Sequence, residues 1–401
     1  MPENKNTPAL RFAGFSGEWE ENMLGNMVDI GSASRVHKEE WKKDGVRFFR
    51  SSDVVSKFMG KKNEPAFISN ELYEKLSSQS GKLKTHDILV TGGGTIGIPY
   101  LVEDDNPLYF KDGDLIWIKN SGILDGYFLF YTFASDRIHK YILSITHTGT
   151  ISHYTIEQGK ATPLSIPQFD EQSKIGTFFR TLDTLIKLQQ REFDKTVNIK
   201  KAMLQKMFPK AGADKPEIRF AGFSGGWEER KLGDVAQITM GQSPSGEYYT
   251  TNPTDNILVQ GNADMKNGRV VPRVWTTQVT KTADMGDIIL SVRAPVGDVG
   301  KTDYKVVLGR GVAGIKGNEF VFQILGRIKL LGYWNKLITG STFESINSNV
   351  LKEAVILVPS EKEQQAIGSF FTQLDTLINL QQREIGKLQN IKKALLEKMF
   401  V

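Results

Sequence analysis

The 401 residues, 39% of them apolar, are enough for two or three cored domains. The absence of cysteine excludes disulfides, thiolate metal sites and a cysteine nucleophile, and fits a reducing cytoplasm. A net charge of +5 with a pI near 9.0 leans toward a polyanionic partner without deciding for one. Neither the opening MPENKNTPAL nor the longest apolar run, Tyr127 to Ala134, has the form of a signal or a bilayer span, so a cytoplasmic, non-membrane protein is expected.

In chain order, the first distinctive stretch is Leu10-Arg-Phe-Ala-Gly-Phe-Ser-Gly-Glu-Trp19-Glu-Glu, which returns as Ile218-Arg-Phe-Ala-Gly-Phe-Ser-Gly-Gly-Trp227-Glu-Glu. A repeat at this distance signals duplication of a whole half. Next, Val46-Arg-Phe-Phe-Arg50-Ser51-Ser52-Asp53 corresponds to Ile257-Leu-Val-Gln260-Gly-Asn262-Ala-Asp264, a strand ending in polar residues. Arginine matches the acceptor pair of guanine, and glutamine or asparagine the edge of adenine. Arg50, Ser51 and Ser52, with Gln260 and Asn262, are therefore candidate base contacts. Basic residues crowd the same regions: from Arg35 to Lys62 there are nine Lys/Arg against four Asp/Glu, and from Lys266 to Lys281 four against none. Lys57, Lys61, Lys62, Lys266, Arg269 and Arg273 are the corresponding phosphate candidates.

Further along, His86-Asp-Ile-Leu-Val-Thr91 and Gly286-Asp-Ile-Ile-Leu-Ser291 each read as a buried strand entering a turn, Gly92 to Gly97 or Val292 to Gly297. The first turn lacks the Gly-Lys-Ser/Thr ending of a phosphate loop and reads as a tight turn. Ile116 to Lys119 corresponds to Ala313 to Lys316, and Thr148 to Ser152 to Thr339 to Phe343. Asp105-Asn106-Pro107-Leu108 is only a partial match to the loop that holds the target amine in adenine methyltransferases. The five histidines all lie in the first half without ligand spacing, so no metal site or catalytic set is assigned.

Leu164 to Pro167 and Val355 to Pro359 read as strands stopped by proline, each followed by a long helix with acids in its first turn, Glu171 and Glu363. The two helices are near-copies: Gly176 to Phe208 and Gly368 to Phe400 share 23 of 33 positions. Their apolar residues recur at a 3-4 spacing, which is the seam of a coiled coil. It passes through Phe179, Leu182, Ile186, Phe193 and Met203 in one helix, and through Phe371, Leu374, Ile378, Ile385 and Leu395 in the other. Gln189 and Gln381, with Lys200 and Lys392, form a polar layer on it. Two matching seams imply helices packed on each other, and Pro209 to Pro216 reads as a linker between the halves.

Taken together, the repeated Phe-x-Gly-Phe-x-Gly-x-Trp, Gly286 to Asp298 with its Ser-Val-Arg293-Ala-Pro-Val-Gly turn, Thr339-Gly-Ser-Thr, Pro-x-x-x-Glu-Gln-x-x-Ile and Phe-Phe-x-x-Leu-Asp-x-Leu-Ile closely resemble the specificity subunits of type I restriction-modification enzymes. The resemblance implies an α+β chain with two tandem mixed α/β target-recognition domains, 1–165 and 210–355, separated by two antiparallel coiled-coil helices, 166–209 and 356–401. It implies a non-catalytic subunit that reads a split sequence in double-stranded DNA across a fixed gap. Its expected partners are two modification (methyltransferase) subunits and two restriction subunits, which carry the S-adenosylmethionine, ATP and Mg²⁺ sites. Arg293 joins the base-contact candidates, and Gly93 stands in its place in the first half. Two other readings remain open: a stand-alone adenine methyltransferase using Asn106-Pro107, and a coiled-coil scaffold with no role on DNA.

Overall fold

The computed structural model describes residues 6–111, 113–146, 152–336 and 345–401. Except for Ser152, the expected correspondence of Thr148 to Ser152 with Thr339 to Phe343 lies outside the described residues. The chain forms two compact units, Met1–Gln189 with Ile385–Val401, and Gln190–Glu384. Among the described residues no helix is long and apolar enough to cross a membrane.

In the first unit, a four-stranded sheet runs in the order Asp29–Gly31, Leu115–Lys119, Ile88–Thr91, Pro99–Leu101, all antiparallel. Ile88–Thr91 is paired on both sides and wholly buried, which explains its unbroken apolar run. A three-stranded sheet places Val46–Phe49 between Ala66–Ile68, antiparallel, and Leu108–Phe110, parallel. Strands Glu20–Met23 and Pro163–Ile166 pair antiparallel and join the start of the globule to its end. Leu24, Ile88, Val90, Ile118 and Leu129 lie in the main core cluster.

The second unit repeats this plan with longer sheets. Gln237–Met240, Val312–Lys316, Ile288–Ser291 and Val299–Lys301 line up as four neighbours of a six-stranded sheet. Asn256–Val259 again runs parallel to the strand that follows the turn, here Val306–Leu308. Glu228–Lys231 and Val355–Val358 form the closing antiparallel pair.

The long helices extend over Phe169–Lys206 and Glu361–Met399. In the first unit, Phe179 and Ile385 are buried and Leu182, Ile186 and Leu395 partly so; in the second, Phe371 is buried and Phe193, Met203, Leu374 and Ile378 partly so. Apolar residues off that stripe, such as Leu185, Leu188, Leu377 and Leu380, are exposed. The lysines expected in a polar layer with glutamine instead pair with aspartates. Lys392 Nζ lies 2.6 Å from Asp183 Oδ1 in the first unit, and Lys200 Nζ 2.5 Å from Asp375 Oδ1 in the second. Each aspartate also accepts a bond from its globule, Asp183 from Tyr131 at 2.7 Å and Asp375 from Gln323 at 2.9 Å. Burial first, and then the Asp183 charge, push the Tyr131 phenol far above its ordinary range, so it remains a donor.

The acids in the first helical turns have a more specific role than favouring the dipole. Arg11 donates to both oxygens of Glu171 at 2.7 Å, and Arg219 does the same to Glu363. Both glutamates are 1% exposed. These forked pairs tie each opening motif to the helix that follows its own globule.

The expected division into a globule followed by its own helix needs correction at the helix ends. Phe400 packs with Trp19, Phe128 and Phe179, at ring-centre distances of 6.5, 5.6 and 5.8 Å. Phe208 packs in the same way with Trp227, Phe320 and Phe371, at 5.8, 5.5 and 6.0 Å. The phenylalanine just past the end of each long helix therefore completes the core of the unit that begins with the other copy of the motif. The segment expected to be a linker is also structured: Pro209 is buried, the Asp214 carbonyl accepts from Trp227 N, and Lys206 O accepts from Ile218 N. Asn6 O does the same for Trp19 N, and Lys398 O for Leu10 N.

Candidate nucleic-acid interface

In the first unit, the end of strand Val46–Phe49 leads straight into helix Ser51–Phe58, and the turn is organised by Asp53, 2% exposed. Its carboxylate accepts from Arg50 N at 3.0 Å, Arg50 Nε at 2.7 Å and Asn63 Nδ2 at 3.1 Å, and Arg47 Nη2 lies at 3.3 Å. Arg50 Nη2 also donates to the Glu64 carbonyl at 2.6 Å, and the guanidinium lies 5.6 Å from the Trp41 ring centre. Arg50, expected to present its fork to a base edge, instead has Nε and Nη2 on a buried carboxylate in this structure. Removing them would leave that charge short of partners. Ser51 is similarly engaged, its hydroxyl donating to Asp114 O at 3.0 Å. Ser52 is exposed and accepts from Asn63 Nδ2 at 3.2 Å. Lys57, Lys61 and Lys62 are exposed, and none has a side-chain hydrogen bond or ion pair among the described residues.

The corresponding turn of the second unit is also organised by a buried aspartate. Asp264, 5% exposed, accepts from Gln260 N at 2.7 Å and Gly261 N at 3.3 Å. Gln260 Nε2 donates to Tyr249 OH at 2.8 Å, and Asn262 is partly buried. Two of the three phosphate candidates here are paired. Arg269 Nη1 lies 2.7 Å from Asp303 Oδ1, and Arg273 Nη1 lies 3.6 Å from Asp264 Oδ1 while donating to Ala263 O. The basic run contains no acid, but folding brings carboxylates to it from outside. Lys266 is exposed, with no side-chain partner among the described residues.

The structure brings Gln260 and Arg293 together in one cleft of about 250 Å³, shared with Arg310 and Ser291. Asn262 is not part of its lining. Arg310 has no counterpart among the sequence candidates. It occupies the tip between strands Val306–Leu308 and Val312–Lys316, and only the pairing of those strands with the rest of the sheets brings it beside Gln260. Its one local signal is the Gly-Arg-Gly triplet.

The family model of the type I restriction modification DNA specificity domain matches this chain twice, over residues 16–196 and 224–390. The putative type I restriction enzyme MjaX specificity subunit of Methanocaldococcus jannaschii is 30% identical over 297 residues, which span 70% of this chain and 69% of that protein. The MjaVIII specificity subunit of the same organism is 21% identical over 299 residues, 69% of this chain and 70% of its own. Among solved structures, a type I restriction-modification system S subunit from M. genitalium has a TM-score of 0.65, with 16% identity, over 98% of this chain and 99% of that one. A chain from a structural study of type I R-M complex assembly and conformational transition has a TM-score of 0.57, with 21% identity, over 95% and 97%. At those identities the two structures speak for the fold, whereas the doubled family match and the 30% relative speak for descent. The chain belongs to the DNA specificity subunits of type I restriction-modification enzymes.

Proposed function

We propose that each unit reads one half of a split sequence in double-stranded DNA, and that the two long helices set the gap and carry two modification subunits. Two restriction subunits join through these. S-adenosylmethionine, ATP and Mg²⁺ chemistry belongs to those partners in the cytoplasm, and this chain is not itself catalytic. The observation that supports this reading best is the repetition of one scaffold with different polar groups at its tips: Arg50 locked on Asp53 in one unit, Gln260 and Arg293 facing a cleft in the other. Gene duplication that keeps a frame and changes its tips is suited to reading two different half-sites.

Methylome sequencing of a host lacking and then regaining this chain, with its modification subunits, tests the proposal. A split motif that appears with the chain is expected. Replacing residues 20 to 160 by those of a related subunit should change one half-site and spare the other; loss of both in an assembled chimera would contradict it. The helices are tested separately by inserting four residues after Gln190 and after Lys387. This lengthens each helix by roughly 6 Å, and the gap should grow by about one or two base pairs. An unchanged gap in an active enzyme would leave the helices as a platform for partners only.

A further inference from the structure

We infer that Arg310, together with Arg293, reads guanine in the half-site of the second unit, an assignment that rests on the DNA-reading function proposed above. Among the described residues their cleft is lined by two guanidinium groups and no carboxylate. Neither side chain has a hydrogen bond or ion pair among the described residues, and both are exposed. Several other surface cations of the same unit are paired: Lys316 lies 2.8 Å from Asp284, Lys231 2.6 Å from Glu353 and Arg269 2.7 Å from Asp303. Two unpaired cations lining one cleft repel each other, and a ligand rich in acceptors relieves that repulsion. Guanine offers N7 and O6 side by side in the major groove, the spacing that a guanidinium fork satisfies.

The mounting of Arg310 favours a base over a phosphate. Its backbone N–H donates to Ser243 Oγ at 3.0 Å, Gly309 N donates to Val259 O at 2.8 Å, and Gly311 O accepts from Val292 N at 2.9 Å. A Cβ on Gly311 would lie 2.0 Å from Gln260 O, and one on Gly309 would lie 3.1 Å from Gln260 Cα. The tip is therefore seated directly on the Gln260 backbone and gives the side chain a fixed origin. Base reading depends on such registration, whereas a phosphate can be met by a mobile lysine.

The first unit lacks this device. There the bond matching Val292 N to Gly311 O is Gly92 N to Asp114 O, at 2.8 Å. The Asp114 carboxylate takes Lys111 Nζ at 2.5 Å, and glycine stands at position 93. Loss of Arg310 should therefore be felt in one half-site only.

The test uses the full chain assembled with its modification subunits, and compares wild type, R310A and R310K on duplex libraries and by methylome sequencing. For R310A, preference for guanine at one position of the second half-site should fall roughly 10- to 100-fold, with the first half-site and the salt dependence unchanged. R310K keeps the charge but loses the fork, so it should also lose most of the discrimination. Uniform weakening in R310A with a log-log salt slope smaller by about 1, and recovery in R310K, would mark a phosphate contact and overturn the assignment. So would an intact second half-site in R310A. A wild-type complex with no split target would instead defeat the proposed function, whatever the variants do.

Discussion

In the first unit, the Thr91 hydroxyl donates to Thr95 O and Gly97 N returns to Thr91 O; in the second, the Ser291 hydroxyl donates to Arg293 O and Gly297 N returns to Ser291 O. The closing glycines share a left-handed φ, 80° and 91°, which few other residues adopt without strain. Yet these two turns, closed by the same main-chain bonds although their hydroxyls reach different carbonyls, carry Gly92-Gly93 in one unit and Val292-Arg293 in the other. The neighbouring tips differ in charge: a Lys111–Asp114 pair in one, and in the other an Arg310 with no partner among the described residues. The difference teaches that the backbone frame and the polar tips are separable. The frame is held by buried main-chain bonds that a side-chain change does not touch, so the tips are free to vary.

The strongest way to challenge that separation is to strike the repeated frame. F400A and F208A should each cost about 3–5 kcal/mol, the usual loss for a buried phenylalanine. Hydrogen exchange should show F400A loosening residues 126–134 and sparing residues 288–291, with F208A doing the reverse. Exposure of the globule that precedes the mutated helix, rather than the one it completes, would break the scheme. Somewhat smaller, R11A and R219A should each cost about 1.5–3 kcal/mol, because a buried glutamate loses a charged donor pair. Equal losses in thermal unfolding are expected, since the two pairs have the same geometry.

The tips should behave unequally. R50A should lower stability by about 1–2 kcal/mol, through the partners that Asp53 loses, and leave the target sequence intact. Q260A should leave stability nearly unchanged and cost about 1–3 kcal/mol of discrimination in the second half-site. A changed target sequence in R50A would show that Arg50 reads DNA as well as holding Asp53. Smallest of all, neutralising Lys61, Lys62 or Lys266 singly should flatten the log-log salt slope of binding by about 1. Arg269 should give less, because Asp303 already holds it.

Much of the frame was legible because it is written twice. Strands such as Ile88–Thr91 and Ile288–Ser291 have short apolar runs, and both long helices carry a 3-4 pattern broken at the same polar positions. Which globule each helix end completes was not legible, because Lys206-Met-Phe208 and Lys398-Met-Phe400 are identical and suit either site. The tips were read least well. Arg50 is three residues from the aspartate that captures it, a spacing visible in the sequence, but the burial that makes Asp53 demand a partner is not. Arg269 meets an acid 34 residues away, and Arg310 comes beside Gln260 only after several strands have paired. Local pattern reports periodicity and caps; it does not report which charges folding neutralises.

The closure of the aromatic cluster around Trp19 by Met399 and Phe400 has a consequence for the order of events at the ribosome. The second unit is one uninterrupted stretch, Gln190–Glu384, whereas the first needs Ile385–Val401 as well. The half of the chain that emerges first is thus the last able to finish its core, and it must wait with Trp19, Phe128 and Phe179 uncovered while the second half is synthesised. Translation that stops shortly after Glu384 would release a chain whose later-made unit is sound and whose earlier-made unit is open, the kind of species that chaperones and proteases remove.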